Sequence, residues 1–348
     1  MGTGVVRSRS RFLGERMWDR VLVLLSVLVA CLLVFHTALP NDVGRLGSLL
    51  ETFLPWLGLS VPVLLGLALP RRSVVVWCAS LLPVLAWFSL FGGLLVSRPG
   101  PEYDITVLQH NVSDENRDPS GTARKLLKPG AELIALEELT PPALPDFAAV
   151  LAPDYPHHAT VGTVGLWSKF PLVDVRRVDI RPEGIEEGWD RGMRATARTP
   201  QGDVAVYVAH LPSVRIGLAE GLTSARRDES AALLGAAIAT ERLDRVILVG
   251  DLNSTMDDRG LAPLSSRLNA PRSGFAFSWP AGFPLARIDQ IMARSGTVPR
   301  VWSLPATGSD HLPIAARVRF DKTADSGRDC QSGAAPCARS GTSGPSSG

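Results

Sequence analysis

Val246-Ile247-Leu248-Val249-Gly250-Asp251-Leu252-Asn253 is a run of four apolar residues closed by a glycine and two polar side chains set two apart. So short and β-branched a run reads as a strand buried on both faces. Gly250 then lets the chain turn, so that Asp251 and Asn253 point the same way at the strand's end. An aspartate there can orient or deprotonate an attacking water, and the amide can donate to an oxyanion without adding charge. A turn or helix cap would use the same residue types, so the pair gains meaning only from its company.

That company recurs along the chain. Apolar strands run into Gln109-His110-Asn111, Leu136-Glu137-Glu138, Ala209-His210-Leu211, Arg287-Ile288-Asp289 and Gly308-Ser309-Asp310-His311-Leu312-Pro313. Carboxylates, amides and imidazoles at the rim of a sheet can converge on one pocket, an arrangement suited to metal-assisted attack on phosphorus. Glu138 is a carboxylate suited to Mg²⁺, a cation that keeps several waters and takes one or two protein carboxylates. His311, when protonated, can stabilise a pentacoordinate transition state; Asp289 is available to hold its tautomer, and Asp310 to approach the metal or its waters. Asn111 completes the ring as a metal or water ligand, while strand alternation turns His110 to the opposite face. His210 ends a further strand, and His157 and His158 read as solvated residues of a Pro-bounded loop. The soluble part has no His-x-x-x-His or Cys-x-x-Cys spacing for zinc, no Gly-x-x-x-x-Gly-Lys loop for nucleotide and no Gly-x-Ser-x-Gly elbow for serine hydrolysis.

The remaining strand candidates are Ile105 to Leu108, Leu133 to Leu136, Gly165 to Ser168, Ala195 to Ala197, Val204 to Ala209, Ile288 to Met292 and Ile314 to Val318. A helix is expected from about Thr223 to Leu243, where Leu233, Leu234, Ala237 and Ile238 form an apolar stripe. Strands with intervening helices favour an α/β sandwich: two packed sheets with helices outside, four layers in all. The acidic stretch Gly184 to Asp190 reads as a mobile loop.

Before this region, Val21 to Leu39, Leu46 to Leu69 and Val74 to Val96 are nearly free of charge, and each approaches or exceeds the roughly 20 residues that span a bilayer. Three membrane helices are therefore expected within residues 21–97, with Glu51 near one end of the second, within reach of the headgroups. Trp18, Trp56 and Trp77 read as interfacial anchors, and Trp87, in mid-segment, as facing another helix. Arg7, Arg9, Arg11, Arg16 and Arg20 precede the first segment and Arg71 and Arg72 lie between the second and third, against Arg45 and Arg98 on the other side. The positive-inside bias holds residues 1–20 in the cytoplasm and delivers a domain at 103–320 to the outer face of the cell membrane. The first apolar run is too long for a signal peptide's h-region, and two more follow it. The tail, 321–348, is rich in Gly, Ser, Ala and Pro, too poor in large apolar residues to fold; Cys330 and Cys337 can pair there as a local staple. A formal net charge of +2 over 348 residues points to no polyanionic partner.

Taken in order, these residues resemble the endonuclease/exonuclease/phosphatase superfamily, the fold of DNase I, apurinic endonucleases, inositol-polyphosphate 5-phosphatases and neutral sphingomyelinases. The resemblance covers about Tyr103 to Phe320 and includes GLWSKFPL from Gly165 to Leu172. It implies Mg²⁺, with Mn²⁺ as a possible substitute, at Glu138, Asn111 and Asp310, and catalytic roles for Asp251, Asn253, His210, Asp289 and His311. Glu137 stands where the family usually has glutamine, Ala209 where it has threonine and Leu252 where it has phenylalanine. Three spans ahead of such a domain look like the VanJ-type teicoplanin-resistance proteins, which implies a lipid-linked phosphate substrate, undecaprenyl pyrophosphate, and a role in antibiotic resistance. A tethered extracellular nuclease, a sphingomyelinase-like phosphodiesterase and a silent binding protein are the competing readings. Nucleic acid is disfavoured by the near-neutral charge, and silence by the full set of polar residues. Only about five residues, Ser97 to Pro101, link the last span to the first strand, so the pocket would stay near the headgroups.

Overall fold

The computed structural model describes residues 3–96, 102–217 and 221–321, so Cys330, Cys337, the rest of the tail and the linker 97–101 lie outside the described residues. Two sheets carry the soluble part. The first has six strands in the order β12 (Gly296–Ser303), β13 (Ile314–Phe320), β1 (Ile105–Asn111), β2 (Leu133–Glu137), β4 (Val164–Ser168) and β3 (His157–Val161). The second has five, β11 (Asp289–Arg294), β10 (Val246–Asp251), β7 (Gly202–Ala209), β6 (Gly192–Thr199) and β5 (Leu172–Arg177), and a ribbon pairs β8 (Ile216–Gly217) with β9 (Gly221–Leu222).

Strand alternation sorts the apolar residues into layers. Ile105 and Val107 of β1, Leu133 and Ala135 of β2, Val204, Val206 and Val208 of β7, and Ile247 and Val249 of β10 meet between the sheets. Their neighbours Ile134 and Leu136 pack under α5 (Pro119–Leu127) and α6 (Leu144–Leu151). Val246 and Leu248 pack under α7 (Ala225–Ala239) and α8 (Ala262–Ser265) on the other side. This is the four-layer α/β architecture. Because both faces of each central strand are covered, a one-residue slip would exchange them, and with roughly 1.5–3 kcal/mol at stake per buried aliphatic side chain the register is firmly set.

Strand direction decides where the polar ends gather. β1 runs parallel to β2, and β7 parallel to β10, while β13 is antiparallel to β1 and β11 antiparallel to β10. One rim therefore collects the ends of β1, β2, β7 and β10 together with the starts of β11 and the loop into β13. Asp289 stands at the start of β11, within the expected Ile288 to Met292 strand and not at the end of an apolar strand running into Arg287-Ile288-Asp289. Gly250 likewise lies inside β10, not at a turn: its φ is +152°, and a Cβ there would sit 1.9 Å from the Ala209 carbonyl oxygen, so the close approach of two strands requires glycine. His157 and His158 belong to edge strand β3, not to a loop, and His158 stacks on Trp167 with centroids 5.7 Å apart.

The N-terminal part departs further from expectation. α1 (Thr3–Val34) and α4 (Val74–Leu95) include two stretches, Glu15–Val34 and Val74–Leu95, long and apolar enough to cross a membrane. The stretch between them is not one straight span. It breaks after α2 (Leu46–Thr52), and Leu54–Ala68, which includes α3 (Ser60–Ala68), turns away by 67°. Pro55, with no N–H to continue a helical ladder, falls at the break. Nor does Glu51 reach toward headgroups. It is fully buried, and its carboxylate accepts hydrogen bonds from the Arg259 backbone N–H at 2.9 Å and from Arg259 Nη2 at 2.8 Å, with His36 Nδ1 at 3.2 Å. Trp56 donates to the Leu285 carbonyl at 2.7 Å and stacks on Phe277, so it anchors to the sandwich; Trp87 packs against Phe91 and Phe275. The apolar segment is thus docked directly on the soluble domain.

Candidate active site

The inter-sheet faces that hold the core end in polar residues of the same parity. Gln109 and Asn111 continue the Ile105–Val107 face, Glu137 continues Leu133 and Ala135, His210 continues Val206 and Val208, Asp251 continues Ile247 and Val249, and Asp289 precedes Ile291 and Ala293. Alternation alone aims all of them into the rim of the inter-sheet space.

They meet around Asp251. Asn111 Nδ2 donates to Asp251 Oδ2 at 3.1 Å, with His210 Nε2 at 3.6 Å and His311 Nε2 at 3.7 Å from the same oxygen. Asp251 Oδ1 accepts from the Asn253 backbone N–H at 2.9 Å. His311 Nδ1 is 2.9 Å from Asp289 Oδ2, while Gln109 Nε2 donates to Asp289 Oδ1 and to Glu137 Oε2, each at 2.7 Å. The loop carrying His311 is tied back by Ser309, whose Oγ donates to the Asn111 carbonyl at 2.7 Å. Glu138, held at φ +56°, places Oε1 3.8 Å from His210 Nε2. Asn253 Nδ2 spends one hydrogen on the Leu211 carbonyl at 2.9 Å and keeps the other. A cavity of about 500 Å³ opens over Asn111, Glu138, Asp251, Asn253, Asp310 and His311. His110, of the opposite parity, points away and meets Thr307 Oγ1 at 2.8 Å.

Burial sets the protonation states. Burial pushes the Asp251 carboxyl up to about 7, with Asp289 adding to the rise against the pull of His311. Burial alone would lower His311, but the facing carboxylates Asp289 and Asp251 outweigh it and push the imidazolium up to about 10. Asp289 is held low because His311 overcomes the cost of its burial. His210 is driven well below the ordinary range, first by burial and then by Arg191, and stays neutral. Burial, and then Asp289, push the Glu137 carboxyl well above its ordinary value, and its Oε2 accepts from Gln109.

Four further residues belong to the site: Gln109, Arg191, Thr52 and Phe53. Gln109 was legible, since it shares parity with Asn111. Arg191, whose Nη1 lies 3.2 Å from His210 Nδ1, sits just ahead of β6 after an irregular loop and carries no local pattern. Thr52 and Phe53, from the break in the apolar segment, line the same cavity as Asp251 and His311.

Residues 108–311 match the Endonuclease/Exonuclease/phosphatase family. The chain belongs to that family. Its fold is shared with an endonuclease/exonuclease/phosphatase family protein from Bacteroides thetaiotaomicron, 20% identical, covering 62% of this chain and 98% of that one, with a TM-score of 0.50. D. rerio TDP2, crystallised with a single-strand DNA product, is 14% identical, with 62% and 99% covered and a TM-score of 0.50. Sphingomyelinase C from Streptomyces griseocarneus is 18% identical, with 61% and 98% covered and a TM-score of 0.47. Among curated proteins nothing matches the chain. Membership makes this chain a metal-dependent hydrolase of phosphoric esters or anhydrides.

The residues fit a divalent cation. Asp251, Asp289 and His311 bring ligand-type atoms within 4.8 Å of one another, but the Asp289–His311 pair is spent on its own 2.9 Å hydrogen bond, and a protonated imidazole cannot ligate. Glu138, Asn111 Oδ1 and Asp310 form the better set. All are oxygen donors on the cavity wall, the Asp310 carboxylate meets Ser309 Oγ alone among the described residues, at 3.5 Å, and hard oxygens suit hard cations.

Proposed function

We propose that the chain is a membrane-held, Mg²⁺-dependent phosphohydrolase acting on lipid-linked phosphate esters or pyrophosphates, undecaprenyl pyrophosphate among them. One observation carries the lipid part of this reading: the wall of the catalytic cavity includes Thr52 and Phe53, which belong to the apolar N-terminal segment. Val214, Leu222, Trp279, Ala286 and Ile288 extend an apolar surface from them. A phosphate held at the polar end leaves its hydrocarbon against that surface, where burial is favourable by about 25 cal/mol per Å² of apolar area.

Mg²⁺ held by Glu138, Asn111 and Asp310 would neutralise phosphoryl charge. Asp251 orients a water and takes its proton, which its raised affinity for protons favours near neutral pH. The water oxygen bonds to phosphorus as the bond to the leaving oxygen breaks, and the leaving group departs as an oxyanion. His311, kept protonated and aimed by Asp289, stabilises the charge gathering on the phosphoryl oxygens, and the free hydrogen of Asn253 Nδ2 adds a neutral donor. The basic residues flanking the apolar segments support a cytoplasmic N-terminus, a multi-pass anchor and an outer-face domain.

Phe53→Ala tests the reading. In full-length protein the ratio of kcat/KM for a micellar prenyl pyrophosphate to that for water-soluble p-nitrophenyl phosphate should fall at least fivefold. A ratio equal to wild type would remove the lipid from the substrate.

A further inference from the structure

Beside the catalytic cavity lies a second, of about 700 Å³, and the two share Ser213, Arg215 and Leu222 in their walls. Four arginines line it: Arg45 from the N-terminal part, Arg191 ahead of β6, Arg215 beside β8 and Arg226 in the first turn of α7. Arg45 is neutralised by Asp228 at 2.8 Å. Among the described residues, Arg191, Arg215 and Arg226 form no ion pair within 4.0 Å; Glu138, Asp251 and Asp114 act on Arg191 from a longer range, so Arg215 and Arg226 are the cavity's less compensated charges. Arg191 reaches toward the catalytic residues, its Nη1 lying 3.2 Å from His210 Nδ1 and its guanidinium 5.1 Å over the Trp189 ring. The N-terminus of α7, a 15-residue helix, opens on the same cavity through Ser224 and Ala225 and adds the positive end of its dipole. Arginine grips phosphate through paired donors, and three guanidinium groups line a space that shares part of its wall with the catalytic cavity.

We propose that this second cavity is a phosphate subsite, in which Arg191, Arg215 and Arg226 hold one phosphate of a pyrophosphate group while the other lies against Asp251 and His311. The proposal rests on the hydrolase reading and deepens it: the enzyme selects a lipid bearing two linked phosphates over the monophosphate of the same lipid. Arg45, held by Asp228, also lines this cavity, so the N-terminal part contributes to the walls of both.

Binding separates the subsite from turnover. Calorimetric titration of the full chain in detergent with Mg²⁺ should show methylenebisphosphonate binding at least tenfold tighter than inorganic phosphate, and Arg215→Gln/Arg226→Gln should abolish that preference. In turnover, the ratio of kcat/KM for a prenyl pyrophosphate to that for the prenyl monophosphate should fall at least tenfold in the variant. Equal affinity of the wild type for the two anions, or a preference that the variant retains, overturns the subsite. A bisphosphonate preference lost in the variant, with neither prenyl substrate hydrolysed by wild type, supports the subsite and removes the hydrolase reading instead. If the variant loses only its binding to phosphatidylglycerol vesicles, with bisphosphonate binding intact, the arginines serve the lipid surface and the proposal fails.

Discussion

Glu51→Ala probes the joint between the apolar segment and the catalytic domain. The Glu51 carboxylate is wholly buried and accepts from Arg259 N, Nε and Nη2 at 2.8–3.1 Å. Removing one partner of a buried ion pair costs about 3–5 kcal/mol. Arg259 is 28% exposed and keeps the Leu39 and His36 carbonyls as acceptors at 2.7 and 3.0 Å, so water and those carbonyls recover part of the loss. The net cost should be about 2–3 kcal/mol, or roughly 30- to 150-fold in the ratio of docked to undocked segment. Hydrogen exchange in detergent micelles reads this directly, as faster exchange of α2 amides with the central strands unchanged. Because Thr52 and Phe53 move with the segment, kcat/KM for a prenyl pyrophosphate should fall with it, while Glu51→Gln, which retains an acceptor, should fall between. Wild-type protection of α2 in Glu51→Ala would refute the claim that this pair holds the segment in place.

Asp251→Asn should lower kcat by 100-fold or more without unfolding the protein, as checked by single-turnover rates and circular dichroism. His311→Ala should cost as much and also lower Tm, because it leaves the buried Asp289 without its 2.9 Å partner. The kcat/KM profile should rise as Asp251 loses its proton near pH 7 and fall as His311 loses its own near pH 10, and His311→Ala should lack the basic limb. For stability, the folded protein holds the His311 proton more tightly than the unfolded chain, so that contribution is full below about pH 6.5 and disappears as pH rises toward 10. Glu138→Gln should raise the Mg²⁺ concentration for half-maximal rate before it alters Tm; an unchanged requirement would place the metal elsewhere.

Much of this was written in the sequence because parity is a strong constraint. Once Ile105, Val107, Ile247 and Val249 face a common core, Asn111 and Asp251 must end on the same faces. What alternation cannot supply is direction: the Ile288 to Met292 strand is legible, but not that it runs antiparallel to β10 and so brings its start, with Asp289, to the rim. Of the strands passed over, the long ones, β3, β5 and β12, are all edges. Edge strands are partly solvated and polar, and β12 tolerates Pro299 at the register shift between Thr297 and Arg300. The broken second segment failed for a different reason. Hydropathy reports composition, and Leu46–Thr52 with Leu54–Ala68 is together apolar enough to span, so neither the 67° bend nor the burial of Glu51 under an arginine 208 residues away leaves a trace in a window. The arginines of the second cavity come from four separate stretches of chain and share no spacing.

The central claim is that a metal-dependent site at Asp251 and His311 cleaves phosphate from lipids. Its most direct test is phosphate release by purified full-length protein from micellar undecaprenyl pyrophosphate, with Mg²⁺, with EDTA and after Mg²⁺ is restored, alongside Asp251→Asn and single-stranded DNA. Release should need Mg²⁺, return with it, be lost in the variant, and exceed any cleavage of DNA. DNA cleavage with no phosphate released from the lipid under any divalent cation would contradict it.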